Sequence, residues 1–133
     1  MPGLTVDGQR LLLNHFLGRV AMPMPTIHVA LTTTAPTDTA AGAEATYTGY
    51  ARKATAAADW SDPTSAVPSV SSNANVLTFN QCTAGNSTVT HFELWTAATG
   101  GTRLAWGPLN ASLAVSAGIS PSYAPGQLTV NGD

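Results

Sequence analysis

The chain has 133 residues, a net charge of −2 and only five basic side chains. That is one domain's worth of chain, long enough to bury a core without staples. It carries too few and too scattered cations to grip a nucleic-acid backbone or an anionic membrane surface. Charged residues make up 9% of the sequence, against about a quarter in an average domain, so Ala, Thr, Ser and Asn must cover much of the surface. Such a surface is poorly protected against association and suits a subunit that neighbours cover. The single cysteine, Cys82, rules out an internal disulfide. The longest apolar run, Leu11-Leu12-Leu13, is far short of a membrane span, and no secretory signal is expected at the N-terminus.

Thr5 to Leu17 reads as one helix, capped by Thr5 or Asp7 and ended by Gly18. Leu12/Phe16 and Leu13/Leu17 are i,i+4 pairs, which gives one apolar stripe. A helix this short must dock on something. Beyond it the period changes from helical to two. Met22-Pro23-Met24-Pro25 is extended. Thr26 to Thr33 alternates, with Ile27, Val29 and Leu31 on one face and His28, Ala30 and Thr32 on the other. Tyr47 to Thr55 reads as a second strand. Asp59 to Ser72 is rich in Ser, Pro and Asp and reads as a long connection. A short strand falls within Asn75 to Asn80. Val89 to Thr96 and Arg103 to Trp106 form a hairpin around Thr99-Gly100-Gly101. Pro108 ends the returning strand or places it at an edge. Leu113 to Val115 and Gln127 to Val130 complete the set. The fold class is therefore all-β, a single β-sandwich of about seven strands over residues 1–133, jelly-roll or immunoglobulin-like, with one short N-terminal helix.

Residues that could carry chemistry are few. Cys82 with a histidine would make a nucleophile and base, but nothing local activates the thiol, and a small buried hydrophobe is the simpler reading. His91 and Glu93 are i,i+2 on one strand face; a solvated or interfacial polar pair is favoured there over a metal site. Turn formation accounts for Asp59 and Asp62. No phosphate loop and no nucleophile elbow are present. The expectation is no catalysis, no metal and no cofactor. The aromatic residues are more informative. Trp95 alternates with the Phe92/Leu94 face and should point outward, where the N-terminal helix or a partner covers it. Stacking of a host sugar on Trp95 and Tyr50 is a further possibility. The candidate partner-interface residues are Leu12, Phe16, Trp60, Pro63, Val67 and Trp95.

Four blocks of sequence carry a resemblance. They are "IHVALTTTAPTD" from Ile27, "YTGYARKATAAADW" from Tyr47, "VTHFELWTAATGGTRLAWGPL" from Val89 and "SAGISPSYAPGQLTV" from Ser116. Their order resembles a family of small virion proteins of tailed bacteriophages, members of which are labelled tail-fibre-like or simply phage structural proteins. The resemblance spans nearly the whole chain, departs around Ser65 to Asn75, and brings no catalytic residues with it. It implies a non-enzymatic structural protein of the virion, made in the bacterial host cytoplasm. Small size and low charge put a capsid decoration or cement protein first, on the head surface, bridging subunits of the major capsid protein and pairing with copies of itself as a dimer or trimer. A tail fibre, tail tip or adaptor bound to tail proteins is the alternative, and a host-glycan-binding module the third reading.

Overall fold

The computed structural model describes residues 2–133. It contains one α-helix, α1 (Val6–Phe16), and nine strands in the described residues: β1 (Gly3–Leu4), β2 (His28–Thr32), β3 (Lys53–Ala54), β4 (Val70–Ser72), β5 (Leu77–Thr78), β6 (Ser87–Trp95), β7 (Arg103–Val115), β8 (Ser122–Tyr123) and β9 (Thr129–Asn131). Five of them form one antiparallel sheet in the order β1-β7-β6-β2-β3. Facing it are two separate two-stranded ladders, β4-β9 and β5-β8. The result is sandwich-like and mainly β, with the helix at the N-terminal end. There are more strands than the seven expected, because several are only two residues long.

The core lies between the sheet and the ladders. Val29, Leu31, Val89, Phe92, Leu94 and Ala105 come from the sheet, and Leu77, Phe79, Tyr123 and Leu128 from the opposite side. Cys82 is fully buried among them. The alternation expected in β2 does not separate core from solvent, since Val29, Ala30, Leu31 and Thr32 are all inaccessible. The outer face of the sheet is roofed by the loop that follows β2. There Pro36 is buried, Arg103 donates to the Thr37 carbonyl at 2.6 Å, and the Trp106 indole donates to Asp38 Oδ1 at 2.9 Å.

Two expected strands need correction. Tyr47 to Thr55 is a strand only at Lys53–Ala54. Beside β2 the place of a further ladder partner is taken by a side chain: the Leu31 N–H donates to the Tyr50 hydroxyl at 3.1 Å. Pro108 does not end β7, which runs on to Val115 as a single strand. β1 pairs only with Ala105 and Trp106, so Pro108 sits where β7 is paired on one side alone and its missing N–H costs nothing. The stretch from Asp59 to Ser72 is less continuous than a plain connection, because β4 occupies its last three residues and Trp60 bridges Asn73.

The helix docks in an unusual way. Thr5 is its N-cap and accepts the Gly8 N–H at 3.0 Å, while its own hydroxyl donates to the Arg103 carbonyl at 2.6 Å. Gly18, at φ +74°, follows the C-terminal turn. Gly8 is the one buried residue of α1. A Cβ added there would lie 2.2 Å from the Leu104 carbonyl oxygen. The helix therefore rests on β7 by bare backbone. Replacing glycine by alanine inside a helix normally stabilises by about 1 kcal/mol. Gly8→Ala is expected to do the reverse, costing about 1–3 kcal/mol through overpacking; urea denaturation checks the sign, and faster amide exchange confined to α1 would mark undocking.

Candidate interaction surface

The sequence-predicted residues divide into two groups. Leu12 and Phe16 come together on the outward face of α1, at 42% and 69% exposure, with Leu13 and Leu17 beside them. The chain after the helix folds back, its Met22 N–H donating to His15 Nδ1 at 3.0 Å, and adds exposed Val20 and Met24. Among the described residues, seven of the nine large exposed apolar side chains thus lie between Val6 and Met24. Apolar grooves run alongside, one lined by Leu4, Leu12, Leu13, Phe16 and Asp133 and the next by Leu4, Leu12, Met22, Ile27 and Leu104. Pro63 and Val67 are also exposed, on a different loop, and Val67 is wholly so. Isolated exposed residues of this kind are ordinary, whereas a contiguous patch marks a contact.

Trp60 and Trp95 are largely occupied within the chain. Trp60 is half-buried against the core and donates its indole N–H to Thr55 Oγ1 at 3.0 Å. Trp95 does point to the outer face of the sheet, where one face of its ring is covered from within the chain. The Arg52 guanidinium lies over it, 4.1 Å from the ring centroid, and the indole N–H donates to Glu93 Oε1 at 3.2 Å. That face of Trp95 is closed to a sugar ring. Tyr50 is held equally firmly, donating to Glu44 Oε2 at 2.7 Å while accepting from Leu31.

Arg52 ties these elements together. Its Nε and Nη2 donate to the Glu44 carboxylate, and Nη1 donates to the Ala97 and Gly100 carbonyls at 3.0 and 2.9 Å. It so bolts the β6–β7 turn, where Gly100 and Gly101 adopt φ +63° and +80°, to the loop before β3. Burial alone would raise the Glu44 carboxyl, but the hydrogen bonds from Arg52 and Tyr50 outweigh it and hold the group below its usual 4.5. A depressed folded pKa stabilises above the unfolded value and is lost as pH falls through the folded one. Thermal stability is therefore expected to drop below about pH 4.5, and the Glu44→Gln variant, measured alongside, should lack this part of the drop.

His91 and Glu93 do not converge as a pair. The His91 ring bonds to Thr90 Oγ1 at 2.8 Å. Glu93 is fully buried and accepts the Gly42 N–H at 2.9 Å, with Arg103 Nη1 3.6 Å away. The Asp59 carboxylate accepts the Ala56 N–H and an Asn75 amide N–H, which keep it below the usual range. What the sequence left unseen is the network joining Arg52, Glu44, Tyr50, Glu93 and Arg103, since its members lie up to 59 residues apart. The co-occurrence of the Tyr-Ala-Arg and Phe-Glu-Leu-Trp blocks was the only available signal.

A family model described as "Podophage GP4 fiber I protein gp80" matches residues 6–131. The chain belongs to that family. It is thus a virion structural protein of the tailed-phage, fibre-like kind. No curated protein matches the chain. The match of this fibre I family member takes in α1, the Arg52 bolt and the roof over the sheet alike.

Proposed function

We propose that the chain is a non-enzymatic building block of a podophage fibre, held in the particle by its α1 face. The observation that carries this reading is the concentration of exposed apolar side chains on a single helix that contributes almost none of them to its own core. A free monomer is penalised for such a patch, and an assembled subunit is rewarded when the patch leaves water. Family membership supports the fibre. The low charge supports a covered surface, since interface cores are depleted in charge.

Capsid decoration is the second reading, favoured by the small size of the chain. In it the same helix face lies against the major capsid protein on the head. Gold-labelled antibody on purified particles separates the two: label on fibres with few copies per particle supports the first, and dense label over the head replaces it with the second. Phe16→Glu, an exposed change, is expected to leave the melting temperature within about 1–2 °C, in line with the small effect of surface substitutions. The same variant should lower the copies per particle at least tenfold. Normal incorporation would remove α1 as the grip.

A further inference from the structure

We infer that α1 and the tip of the roof, residues 35–41, release from the sheet together, as one unit latched at Asp38. The inference concerns how α1 is held and not what it binds, so it stands or falls apart from the fibre reading.

The tip is tied down by little. Pro36 is its one buried residue. The base of the roof is secured separately, the Thr33 N–H donating to the Ala43 carbonyl and the Ala43 N–H to Thr34 Oγ1, both at 2.8 Å. Within the tip the Thr37 N–H donates to the Ala40 carbonyl at 2.9 Å and the Ala40 N–H to Thr37 Oγ1 at 3.0 Å. This turn therefore keeps its own bonds whether docked or not. The tip is joined to its surroundings by Arg103 on the Thr37 carbonyl, by the Trp106 indole on Asp38 Oδ1, and by the Val6 N–H on the Asp38 carbonyl at 3.0 Å. The helix is held as lightly, with Gly8 alone buried.

The two attachments share their parts. The Asp38 carbonyl takes the Val6 N–H, one of the donors that a helix leaves free at its N-terminus, while the Asp38 carboxylate takes the indole of β7. Arg103 does the converse. Its carbonyl accepts the Thr5 hydroxyl, and its guanidinium holds Thr37. Helix, tip and β7 thus form a closed ring of hydrogen bonds, in which a break at one link weakens the others. Between helix and tip lies a cavity of about 380 Å³, bounded by Val6 and Asp7 of α1, Thr39 and Ala41 of the tip and Thr102 of the β6–β7 turn. Polar links, more than packing, join the two. Lightly packed segments that share their bonds open as one cooperative unit, below global unfolding. A neighbour that lifts α1 frees the tip and uncovers Trp106 and Arg103; one that presses α1 down keeps both covered.

Hydrogen exchange followed by NMR in sub-denaturing urea tests this on the full chain. The tip's own amides bond inside its turn, so its release is read at the Trp106 indole. Undocking of the helix is read at the Thr5 amide, which donates to the Leu104 carbonyl at 2.9 Å. In the wild type the two should share one opening equilibrium and one urea slope, both below those of β6. Different slopes, or opening of either only together with β6, overturn the proposal, and this comparison decides even if a variant fails to fold. Asp38→Ala removes the bond to Trp106 and keeps the carbonyl, yet the Thr5 and Gly8 amides should exchange at least tenfold faster. Asp38→Asn, whose Oδ1 still accepts the indole, should restore them. Coupling is reciprocal, so Thr5→Ala should speed the Trp106 indole at least tenfold while the Trp60 indole, bonded to Thr55, stays unchanged. An asparagine variant as fast as alanine, or an effect confined to the mutated side in either direction, overturns it.

Discussion

Glu93→Ala should cost about 3–5 kcal/mol, the usual loss when one partner of a buried ion pair is removed. Glu93 is inaccessible and Arg103 nearly so, with Glu93 Oε2 and Arg103 Nη1 3.6 Å apart. The carboxylate also receives the Gly42 N–H and the Trp95 indole. Removing it leaves the Gly42 amide and the Trp95 indole N–H without an acceptor on the outer face of the sheet, and the Arg103 guanidinium held by the Thr37 carbonyl alone. The Arg103 Nη1 atom, which already has no hydrogen-bond partner, would lose the carboxylate it pairs with. The pair itself need not be strongly stabilising, because burying both charges is costly. A Glu93→Leu/Arg103→Met double variant should therefore recover much of the loss, and urea denaturation of the four proteins in a double-mutant cycle gives the coupling. A double variant no better than the worse single would show that the network is worth more than this account allows.

Asn73→Ala should be the second large loss, about 3 kcal/mol. Asn73 is 1% exposed and stands where the two small ladders meet the core. Its amide donates to the carbonyls of Asn75, Tyr123 and Ala124 at 3.0, 3.2 and 2.9 Å, and its Oδ1 accepts the Leu128 N–H at 2.9 Å. Alanine strands at least one buried donor and one buried acceptor, each worth about 1–3 kcal/mol. β4-β9 and β5-β8 are too short to stand alone, so amide exchange should quicken in both ladders together. Exchange confined to one of them would separate Asn73 from the other.

These two residues show how far the sequence could be read. The helix, its Thr5 cap and the β6–β7 hairpin were legible because each is specified by neighbours within a few positions. Leu12 and Phe16 were legible for the same reason: their spacing alone puts them on one stripe. Asn73 looked like one polar residue in a loop, since its four partners lie up to 55 positions away. Tyr50 looked like strand, because an aromatic beside small residues has that propensity whether its backbone or its hydroxyl completes the sheet. Trp95 was correctly placed on the outer face, but the cation over it comes from a loop with no periodic signal. Local pattern determined the elements, and long-range polar pairing determined which surfaces were left free.

The glycine contact between α1 and β7 has a further consequence. Ordinary amphipathic helices are bound by their apolar side chains to the body that carries them, so their sequence cannot drift without unfolding it. Here the attachment is made by backbone at Gly8 and by the Thr5 hydroxyl, which leaves the outward positions of the helix nearly free of that duty. Leu13, Phe16 and Leu17 can be rewritten for a new neighbour while the β body stays as it is. The molecule is built like a tool with an exchangeable handle.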